Sequence, residues 1–448
     1  MTTTSFKMSR HYMPSLLLTA IIAVLFLSAC RKPGDHHHNG QSSMYSSEVL
    51  DKWMTMQVRL MKNSTGIPNQ AFSRPYVYTG IAALESLAPG LAGHTNWYRK
   101  WNGLSGLPSA QHSVRYYYPA NVNAAMAAIN KALFPNANSA DKMAIDSLEA
   151  ALNESFLAKQ SQSILTTSAA FGKAVAAAVF NWSESDGYKN ASNAYSPPVG
   201  PGLWVATAPA FANAASPYWG NNRTVIAGSI HNTQPGAPTA YSTEPGSPFY
   251  QMVKQVYDVS QNLTDDQKSM ALFWRDVPGV TSPGHWLSIL QQVVRQTKTR
   301  LDKAALAYAL TGAAINDGLI SCWKTKYHYN LVRPITYIRD VIGHTSWNSY
   351  LTTPAHPEYS SAHSVLSAAA AAVFKELFGN IGSFTDHTYD YLGFAPRTYT
   401  SFTAIGEEAA QSRLYGGIHF QETFKIGLIQ GRKVAANILS AEEDQKKE

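Results

Sequence analysis

The sequence predicts an all-α protein in which helical bundles are joined by one long, ordered, irregular loop. Most of the chain consists of segments in which apolar residues recur every three or four positions, and these segments are rich in Ala and Leu. No segment shows the strict alternation of apolar and polar residues that a half-buried strand would need. Between Ser183 and Pro248 the helical period stops, and Gly, Pro, Ser, Asn and aromatic residues take over.

The N-terminal half contains five predicted helices. The first carries its apolar residues at three- and four-residue intervals, as an amphipathic helix does. Arg74-Pro75 favours the start of the second helix, and Pro89-Gly90 marks its end. The five helices are predicted at residues 47–60, 76–87, 120–133, 140–157 and 167–182.

The irregular stretch at residues 186–248 separates the two halves. A segment of this length without secondary structure usually marks a linker or disorder. Its aromatic residues, among them Trp204, Tyr218 and Trp219, argue instead for an ordered loop that packs over another part of the protein. Such a loop either walls a pocket or decorates the surface, and the sequence leaves both readings open.

The C-terminal half begins with clear helix signals. Thr264-Asp265-Asp266-Gln267 is a capping box that opens a helix ending near Trp274. A later helix carries Asp317 on an apolar stripe, where a carboxylate needs a hydrogen-bonding or cationic partner unless it is neutral. Because Arg333 precedes Pro334, the helix that carries Lys326 is expected to unwind there.

Three more helices complete this half. They are predicted from about residue 360 to 377, 400 to 413 and 420 to 439, with a loop between 379 and 396. In the last helix, Gly427, Gly431 and Ala435 form a stripe of small residues that would let a neighbouring helix approach closely.

The stretch His356 to His363 carries the clearest chemistry. A helix starts near Ser360, with a hydroxyl residue placed to cap it. The first turn of a helix has unpaired backbone N–H groups, and the positive end of the helix dipole adds to their attraction for an anion. Ser361, Ala362 and His363 lie in that turn, which therefore predicts an oxyanion site with a titratable imidazole.

Cations accompany this turn on both sides in the sequence. Lys326 and Arg333 lie upstream with six residues between them, and Arg413 and His419 lie downstream with five between them. Three cations, one helix N-terminus and two imidazoles suit a multiply charged oxyanion. The plain alternative is that these are solvated charges and ordinary core or surface histidines.

The ordered motifs Lys-x6-Arg-Pro, Ser-Ser-Ala-His and Ser-Arg-x5-His resemble the signature of one superfamily. It contains the vanadium-dependent haloperoxidases and the type 2 phosphatidic acid phosphatases. Phe273 to Gly279 and Pro283 to Trp286 are similar to the bacterial haloperoxidase branch. The resemblance implies that vanadate or phosphate is bound by Lys326, Arg333, Arg413, Ser361 and the backbone N–H of Ala362.

The resemblance also implies three catalytic roles. His419 would bond directly to the central atom, as the vanadium ligand or as a nucleophile on phosphorus. His363 would be the acid–base group opposite it, and Lys326 would polarise peroxide held by the vanadate cofactor. Hydrogen peroxide and halide would then be the small-molecule substrates and hypohalous acid the product, whereas a phosphatase would hydrolyse a phosphate ester through a phosphohistidine.

Two positions depart from the superfamily pattern. Ala362 replaces a Gly, which matters only if φ is positive at this position. Thr423 stands where the phosphatase branch tends to place an Asp that holds the final histidine ring. Asp276 or Asp317 could instead pair with Arg413 or Arg333. Haloperoxidase activity is therefore favoured over phosphatase activity, and a third alternative is a non-catalytic, phosphate-binding surface lipoprotein.

The N-terminus resembles an export signal. Lys7 and Arg10 precede an apolar run, and Leu27-Ser28-Ala29-Cys30 is similar to a bacterial lipobox, in which the cysteine is lipidated. We expect an exported protein anchored by this lipid to a bacterial membrane, the outer one being favoured, on its periplasmic or outer face. No later stretch reads as long and apolar enough to span a bilayer.

Composition excludes other classes of function. The formal net charge is +7, but only 15% of residues are charged and they form no long basic run, so nucleic acid is not expected as a partner. The sequence gives no indication of oligomeric state. The predicted organisation is a leader at 1–30, a tether at 31–46, a helical half at 47–185, the loop at 186–248 and a second helical half at 249–440.

Overall fold

Helices dominate the computed structural model, which describes residues 1–3, 41–91, 100–111, 113–276 and 280–443. Within these residues the only sheet is a two-stranded hairpin, so the all-α prediction is confirmed. The leader, Cys30 and most of the tether lie outside the described residues, as do Val277, Pro278 and Gly279 of the haloperoxidase-like segment. Residues 39–448 form one compact unit.

The five predicted N-terminal helices are all present; the first begins one residue later than its pattern indicated, and the other four begin one to five residues earlier. Their bounds are α1 Glu48–Asn63, α2 Ser73–Ser86, α3 Tyr118–Leu133, α4 Ser139–Leu157 and α5 Gln162–Ser183. Side-chain caps account for two of these starts, because Asn138 accepts from Asp141 N–H and Ser161 accepts from Ile164 N–H.

The C-terminal half contains the remaining helices and the hairpin. The helices are α6 Pro248–Gln261, α7 Asp265–Phe273, α8 Ser282–Gln296, α9 Leu301–Tyr329, α10 Pro334–Asp340, α11 Ala362–Phe378, α12 Phe402–Tyr415 and α13 Gln421–Glu443. The hairpin pairs β1 Phe384–Asp386 with β2 Arg397–Tyr399 in antiparallel register. The predicted capping box forms at Thr264 and Gln267.

Helices α6 and α10 and the hairpin were not predicted, and α10, with seven residues, is too short to show a clear helical period. Helix α6 starts directly at the end of the loop, although Ser247 caps it and Phe249, Val253 and Val256 form its buried face. The hairpin lies in the segment predicted as loop, because strands of three residues are too short to show an alternating pattern.

Helix α9 is the centre of the fold. It is 29 residues long and packs on α2 on one side and on α11 on the other. Because neighbours cover both sides, almost its whole length is buried, and its apolar residues do not form a single stripe. The same hydrophobic core therefore extends through both halves of the chain.

Small residues allow the closest helix contacts. The predicted stripe on α13 packs against α11, where a methyl group at Gly431 would overlap the backbone carbonyl of Val365. A methyl group at Gly427 would come within 2.8 Å of Ser364 and 3.0 Å of Ser361, so α13 is in direct contact with the N-terminal turn of α11. That turn is the one predicted to bind an anion.

One segment of the described chain, Gln162–Asn190, is long and apolar enough to cross a membrane by length and composition. The expectation that no later stretch passes this test is therefore wrong. The helical part of the segment, α5, packs along α3, and Gly172 allows an approach so close that a methyl group there would overlap the carbonyl of Asn121. A core helix of a globular protein passes the same test.

The loop at residues 186–248 is ordered and lies along α9. Asp317 anchors it by accepting hydrogen bonds from Val225 N–H (2.9 Å), Ile226 N–H (3.2 Å) and the Ser229 hydroxyl (2.7 Å). Further along the chain, Ala215 N–H donates to the carbonyl of Ala355 (2.7 Å). The loop therefore touches the segment directly before His356 and is more than a surface decoration.

Candidate active site

The end of α9 positions the first two cations. The helix stops at Tyr329, Asn330 adopts a left-handed conformation, and Arg333 is extended as the residue before α10. The predicted unwinding before Pro334 is thus confirmed. It places Lys326 on the last turn of one helix and Arg333 at the start of the next, and both side chains are buried.

Lys326 is held by two carbonyl groups. Its Nζ donates to Pro357 O (2.8 Å) and to Glu358 O (3.0 Å), so it ties the end of α9 to the segment that leads into α11. Burial lowers the pKa of this ammonium group to about 7 because an apolar environment disfavours the charged form. Lys326 is therefore a cation whose charge depends on what occupies the site.

The guanidinium of Arg333 donates hydrogen bonds to three acceptor atoms in two residues, His356 and Ile418. Its Nε donates to His356 O (2.7 Å), one terminal nitrogen donates to Ile418 O (2.9 Å), and the other donates to His356 Nδ1 (2.9 Å). The nitrogen bound to Ile418 O also lies 3.4 Å from His419 Nε2. Arg333 thus joins the segment before α11 to the segment before α13.

The N-terminal turn of α11 supplies backbone donors. Ser361, rather than Ser360, is the cap, and its hydroxyl accepts from Ser364 N–H. In the described part of the chain, no acceptor is recorded for the N–H groups of Ala362 and His363, as expected for a first helical turn. Ala362 lies in the helix and is not among the residues with positive φ, so its methyl group causes no backbone strain.

His419 is oriented by a carboxylate. Its Nδ1 lies 2.7 Å from Glu358 Oε1, which also accepts from Phe420 N–H (3.1 Å), while Glu358 Oε2 accepts from the Thr423 hydroxyl (2.9 Å). Arg333 can only donate, so its approach to Nε2 requires a lone pair there and therefore a proton on Nδ1. His419 thus presents an unprotonated Nε2 to the site.

The pKa values of this pair follow from burial. Burial raises the pKa of Glu358 to about 7, although the charges of Arg333 and Lys326 act in the opposite direction. Burial, followed by Arg333 and Lys326, lowers the pKa of His419 well below its usual range. His419 is therefore neutral at neutral pH, and its single ring proton points at Glu358.

His363 has a different set of partners. Its Nε2 lies 3.0 Å from Trp274 O and 2.7 Å from the hydroxyl of Ser282, which in turn donates to Asp276 Oδ1 (2.8 Å). A carbonyl oxygen can only accept, so Nε2 carries the proton and Nδ1 has the free lone pair. Burial, with a smaller contribution from Arg413, lowers the pKa of His363 to about 3.

Arg413 shares a hydrogen-bond acceptor with His363. It donates to Trp274 O (2.9 Å), the carbonyl that His363 also uses, and to the hydroxyl of Ser412 (3.0 Å). Burial lowers its pKa to about 10, while the nearby charge of Asp276 raises it. Its charge also contributes to the lowered pKa of His419, so the two groups of residues share one electrostatic environment.

Two acidic residues were proposed as partners of the arginines. Asp276 has no hydrogen bond to Arg413 in the described chain; it accepts from Ser282 and lies 3.9 Å from His363 Nε2. Asp317 is not part of the site, because its carboxylate is occupied by the loop at residues 186–248. The suggestion that it pairs with Arg333 or Arg413 is therefore corrected.

Sequence reasoning missed Glu358, Ser282 and His356 as members of the site. Glu358 and His356 lie inside the motif that drew attention, but a charged residue next to a proline is usually exposed. The available signal was indirect. With Thr423 in place of an Asp, the ring of His419 needed another acceptor, and Glu358 is a carboxylate within the same motif stretch.

The charges in this region fit a multiply charged oxyanion. Lys326, Arg333 and Arg413 are buried, and none of them has a carboxylate in salt-bridge contact among the described residues. An isolated buried cation is unfavourable unless an anion compensates it. Three buried cations without carboxylate partners within the described chain therefore suit a multiply charged anion such as vanadate or phosphate.

Comparison with known proteins agrees with this reading. Residues 306–446 match the family model of the second helical-bundle domain of vanadium chloroperoxidases. The structure of the first bacterial vanadium-dependent iodoperoxidase is similar, with 32% sequence identity, a TM-score of 0.79, and coverage of 89% of this chain and 96% of that chain. Among proteins with curated functions, none matches significantly.

A second similar structure is a holo-type bacterial vanadium-dependent chloroperoxidase, at 17% identity and a TM-score of 0.63. It covers 87% of this chain and 96% of that chain and shares the fold. The identity with the iodoperoxidase extends over nearly the whole length of both chains. With the three motifs assembled around one buried cationic site, this protein belongs to the family of vanadium-dependent haloperoxidases.

Proposed function

We propose that the protein is a vanadate-dependent haloperoxidase that oxidises halide with hydrogen peroxide to hypohalous acid. The observation that carries this proposal is the state of His419. Its Nε2 lone pair is unprotonated, is fixed by Glu358, and lies in a region with three buried cations that lack carboxylate partners. Such a site matches an anion that also accepts one nitrogen ligand.

The residues present would hold vanadate from several directions. His419 Nε2 would be its one protein ligand, and the free N–H groups at the start of α11 would point at its oxygens. The side-chain donors would be Lys326, Arg333, Arg413 and Ser361. When bound, vanadate supplies the Lewis acidity that activates hydrogen peroxide for a two-electron oxidation of halide.

The protein itself contributes charge and proton transfer. His363 keeps its Nδ1 lone pair free, so it can accept a proton from an incoming oxygen and return it. Lys326 regains a full positive charge when an anion enters, because the negative charge offsets the burial that lowers its pKa. With vanadate in the site Lys326 would therefore be charged and could polarise a peroxide oxygen.

The test uses purified protein with orthovanadate, hydrogen peroxide and iodide, with triiodide absorbance as the readout. We expect oxidation that requires added vanadate and is lost in His419→Ala. Absence of vanadate-dependent oxidation of any halide in folded wild-type protein would refute the proposal. A vanadate-free sample measures the uncatalysed background.

For the halide we propose iodide. The similar structure at 32% identity is that of an iodoperoxidase, and iodide is the most easily oxidised of the common halides. Parallel assays with iodide, bromide and chloride test this choice. Bromide or chloride turnover equal to that of iodide would contradict it.

Phosphate-ester hydrolysis remains a second candidate because of one observation. The missing Asp at position 423 argued against it, yet Glu358 supplies a carboxylate to the same imidazole. A chromogenic phosphate monoester, assayed without vanadium, measures this activity. Hydrolysis that vanadate inhibits would indicate the phosphatase reaction, whereas a phosphate-binding protein without activity in either assay would indicate the non-catalytic alternative.

We also propose export and attachment to a bacterial membrane through a lipid on Cys30. The proposal rests on the lipobox-like sequence Leu27-Ser28-Ala29-Cys30 alone. In cell fractionation, the wild-type protein should sediment with membranes, whereas Cys30→Ala should not. Equal distribution of the two proteins would refute lipid anchoring.

A further inference from the structure

We propose that Glu358 is a positioning residue that fixes the tautomer of His419 and thereby creates the nitrogen that binds the central atom. Thr423 supports it by holding the second carboxylate oxygen. The inference rests on the proposed function, since it assigns His419 Nε2 to vanadate. It concerns Glu358 and Thr423, to which the sequence motifs assigned no role in this protein.

All the hydrogen-bonding partners of the Glu358 carboxylate are donors. Glu358 is fully buried, and its side chain receives three donors: His419 Nδ1 (2.7 Å), Phe420 N–H (3.1 Å) and the Thr423 hydroxyl (2.9 Å). An ionised carboxylate accepts all three without conflict. Its position therefore selects the tautomer with the proton on Nδ1 and leaves Nε2 free.

The opposite face of the ring makes this selection necessary. Arg333 lies 3.4 Å from His419 Nε2 and is always a donor, so a proton on Nε2 would face another proton. Without Glu358 the ring would lose its acceptor at Nδ1. Rotation or the alternative tautomer would then compete with the state that can bind vanadate.

Glu358 also links the ring to a second part of the site. Its own backbone carbonyl accepts from Lys326 Nζ (3.0 Å), and the chain continues through Tyr359 and Ser360 to the cap of α11. One residue thus fixes the separation between Lys326, the imidazole and the helix N-terminus. Its side chain and its backbone have separate functions, so a side-chain substitution tests only the first.

The main variant is Glu358→Gln, which keeps the shape and an acceptor oxygen but removes the charge. Loss of an outer partner of a metal-binding histidine typically weakens affinity by about 10–100-fold. We expect a loss of this size in vanadate affinity, measured by equilibrium dialysis. The matched control is Glu422→Gln, because Glu422 is an exposed carboxylate that lies close to His419 in the sequence. In this variant vanadate affinity should stay within about twofold of wild type.

A second readout does not depend on vanadium. In protein labelled with ¹⁵N-histidine, His419 should show a proton on Nδ1 in the wild type and a mixture of tautomers in Glu358→Gln. Thermal unfolding measured on the same samples separates a loss of fold from a loss of orientation. Vanadate affinity equal to wild type, or an unchanged tautomer, in folded Glu358→Gln would overturn the proposal.

Thr423 provides a milder test if Glu358→Gln fails to fold. Thr423→Val removes one hydrogen bond to Oε2, and we expect vanadate affinity to fall about two- to tenfold. Thr423→Ser keeps the hydroxyl and should bind like wild type. Wild-type affinity in Thr423→Val would count against the proposal, whereas failure of wild-type protein to bind vanadate at all would count against the proposed function.

Discussion

The two imidazoles of the site are the same chemical group in two different environments. His419 donates from Nδ1 to a buried carboxylate, Glu358. His363 donates from Nε2 to a neutral carbonyl, that of Trp274, and is hydrogen-bonded to Asp276 through the hydroxyl of Ser282, with the carboxylate itself 3.9 Å away. As a result the two rings keep opposite nitrogens unprotonated, Nε2 in His419 and Nδ1 in His363.

The difference shows how hydrogen-bond partners assign roles. A direct carboxylate makes the opposite nitrogen more electron-rich and fixes it in place, which suits a permanent ligand. A carbonyl partner fixes the ring without supplying charge, and Arg413 nearby helps to keep the pKa of His363 at about 3. His363 is therefore neutral and able to accept a proton, which suits an acid–base group.

Removing each ring in turn is the most direct test of whether the two histidines have different roles. His419→Ala removes the only nitrogen ligand, so vanadate affinity measured by equilibrium dialysis should fall by at least about 100-fold, together with all halide oxidation. Arg333, the helix N-terminus and the other cations remain, so weak binding of phosphate should persist. Vanadate affinity within tenfold of wild type would remove the distinction between the rings.

His363→Ala should show the opposite pattern. Loss of a general acid–base group lowers turnover by about 10²–10⁴-fold. Vanadate affinity should change far less, because His363 is assigned no bond to the central atom. Steady-state oxidation of iodide gives kcat, and equilibrium dialysis gives affinity on the same preparation. Equal losses in both quantities would mean that His363 acts mainly in binding.

The affinity of the site for anions should depend on pH through Lys326. In the free protein its pKa is about 7, and a bound dianion should raise it, so binding takes up a proton above that value. Affinity for sulfate, whose charge is constant in this range, should fall as pH rises above about 7, by up to about tenfold per pH unit. Isothermal titration between pH 7 and 9 measures this slope.

The control for this experiment is Lys326→Arg, because an arginine stays charged throughout the range. The slope should become shallower in that variant even if its absolute affinity differs, and the part that remains would come from Glu358, whose pKa burial also raises to about 7. A wild-type affinity for sulfate that does not depend on pH would show that Lys326 keeps its proton in the free protein. The positive charge that Lys326 provides near His419 would then be constant over this pH range.

The smallest expected effect tests the link to His363. Ser282→Ala removes the hydroxyl between His363 and Asp276, while Trp274 O still accepts from the ring. One net hydrogen bond corresponds to roughly 2- to 10-fold, so kcat for iodide should fall by about that factor, with vanadate affinity unchanged. Ser282→Thr, which keeps the hydroxyl, should retain most activity. A change in vanadate affinity would contradict a role limited to His363.

The sequence predicted the helices well because their signals are local. Apolar spacing, the capping box at Thr264 and the proline at position 334 each act within one or two turns, so they can be read without a structure. Helix α6, the short helix α10 and the hairpin escaped prediction. Helix α6 begins at the edge of an irregular loop, α10 has only seven residues, and the strands have three residues each.

The candidate site divides in the same manner. The motifs identified its cations, its two imidazoles and the helix that begins at Ala362. They did not identify the partners of those groups. The assignment of Asp317 failed because its carboxylate is satisfied by backbone N–H groups almost a hundred positions away in the chain. Contacts over such separations leave no periodic trace in the sequence.

The sequence by itself thus determined the fold class, the helix turn predicted to bind an anion and the identity of the charged residues, because each depends on residue type and short spacing. Only the tertiary structure decided which nitrogen of each histidine is free. That choice depends on one donor or acceptor at 2.7–3.4 Å, and those partners come from separate elements: Glu358 and Arg333 for His419, Trp274 and Ser282 for His363. A protonation state set by such contacts exists only once the chain has folded.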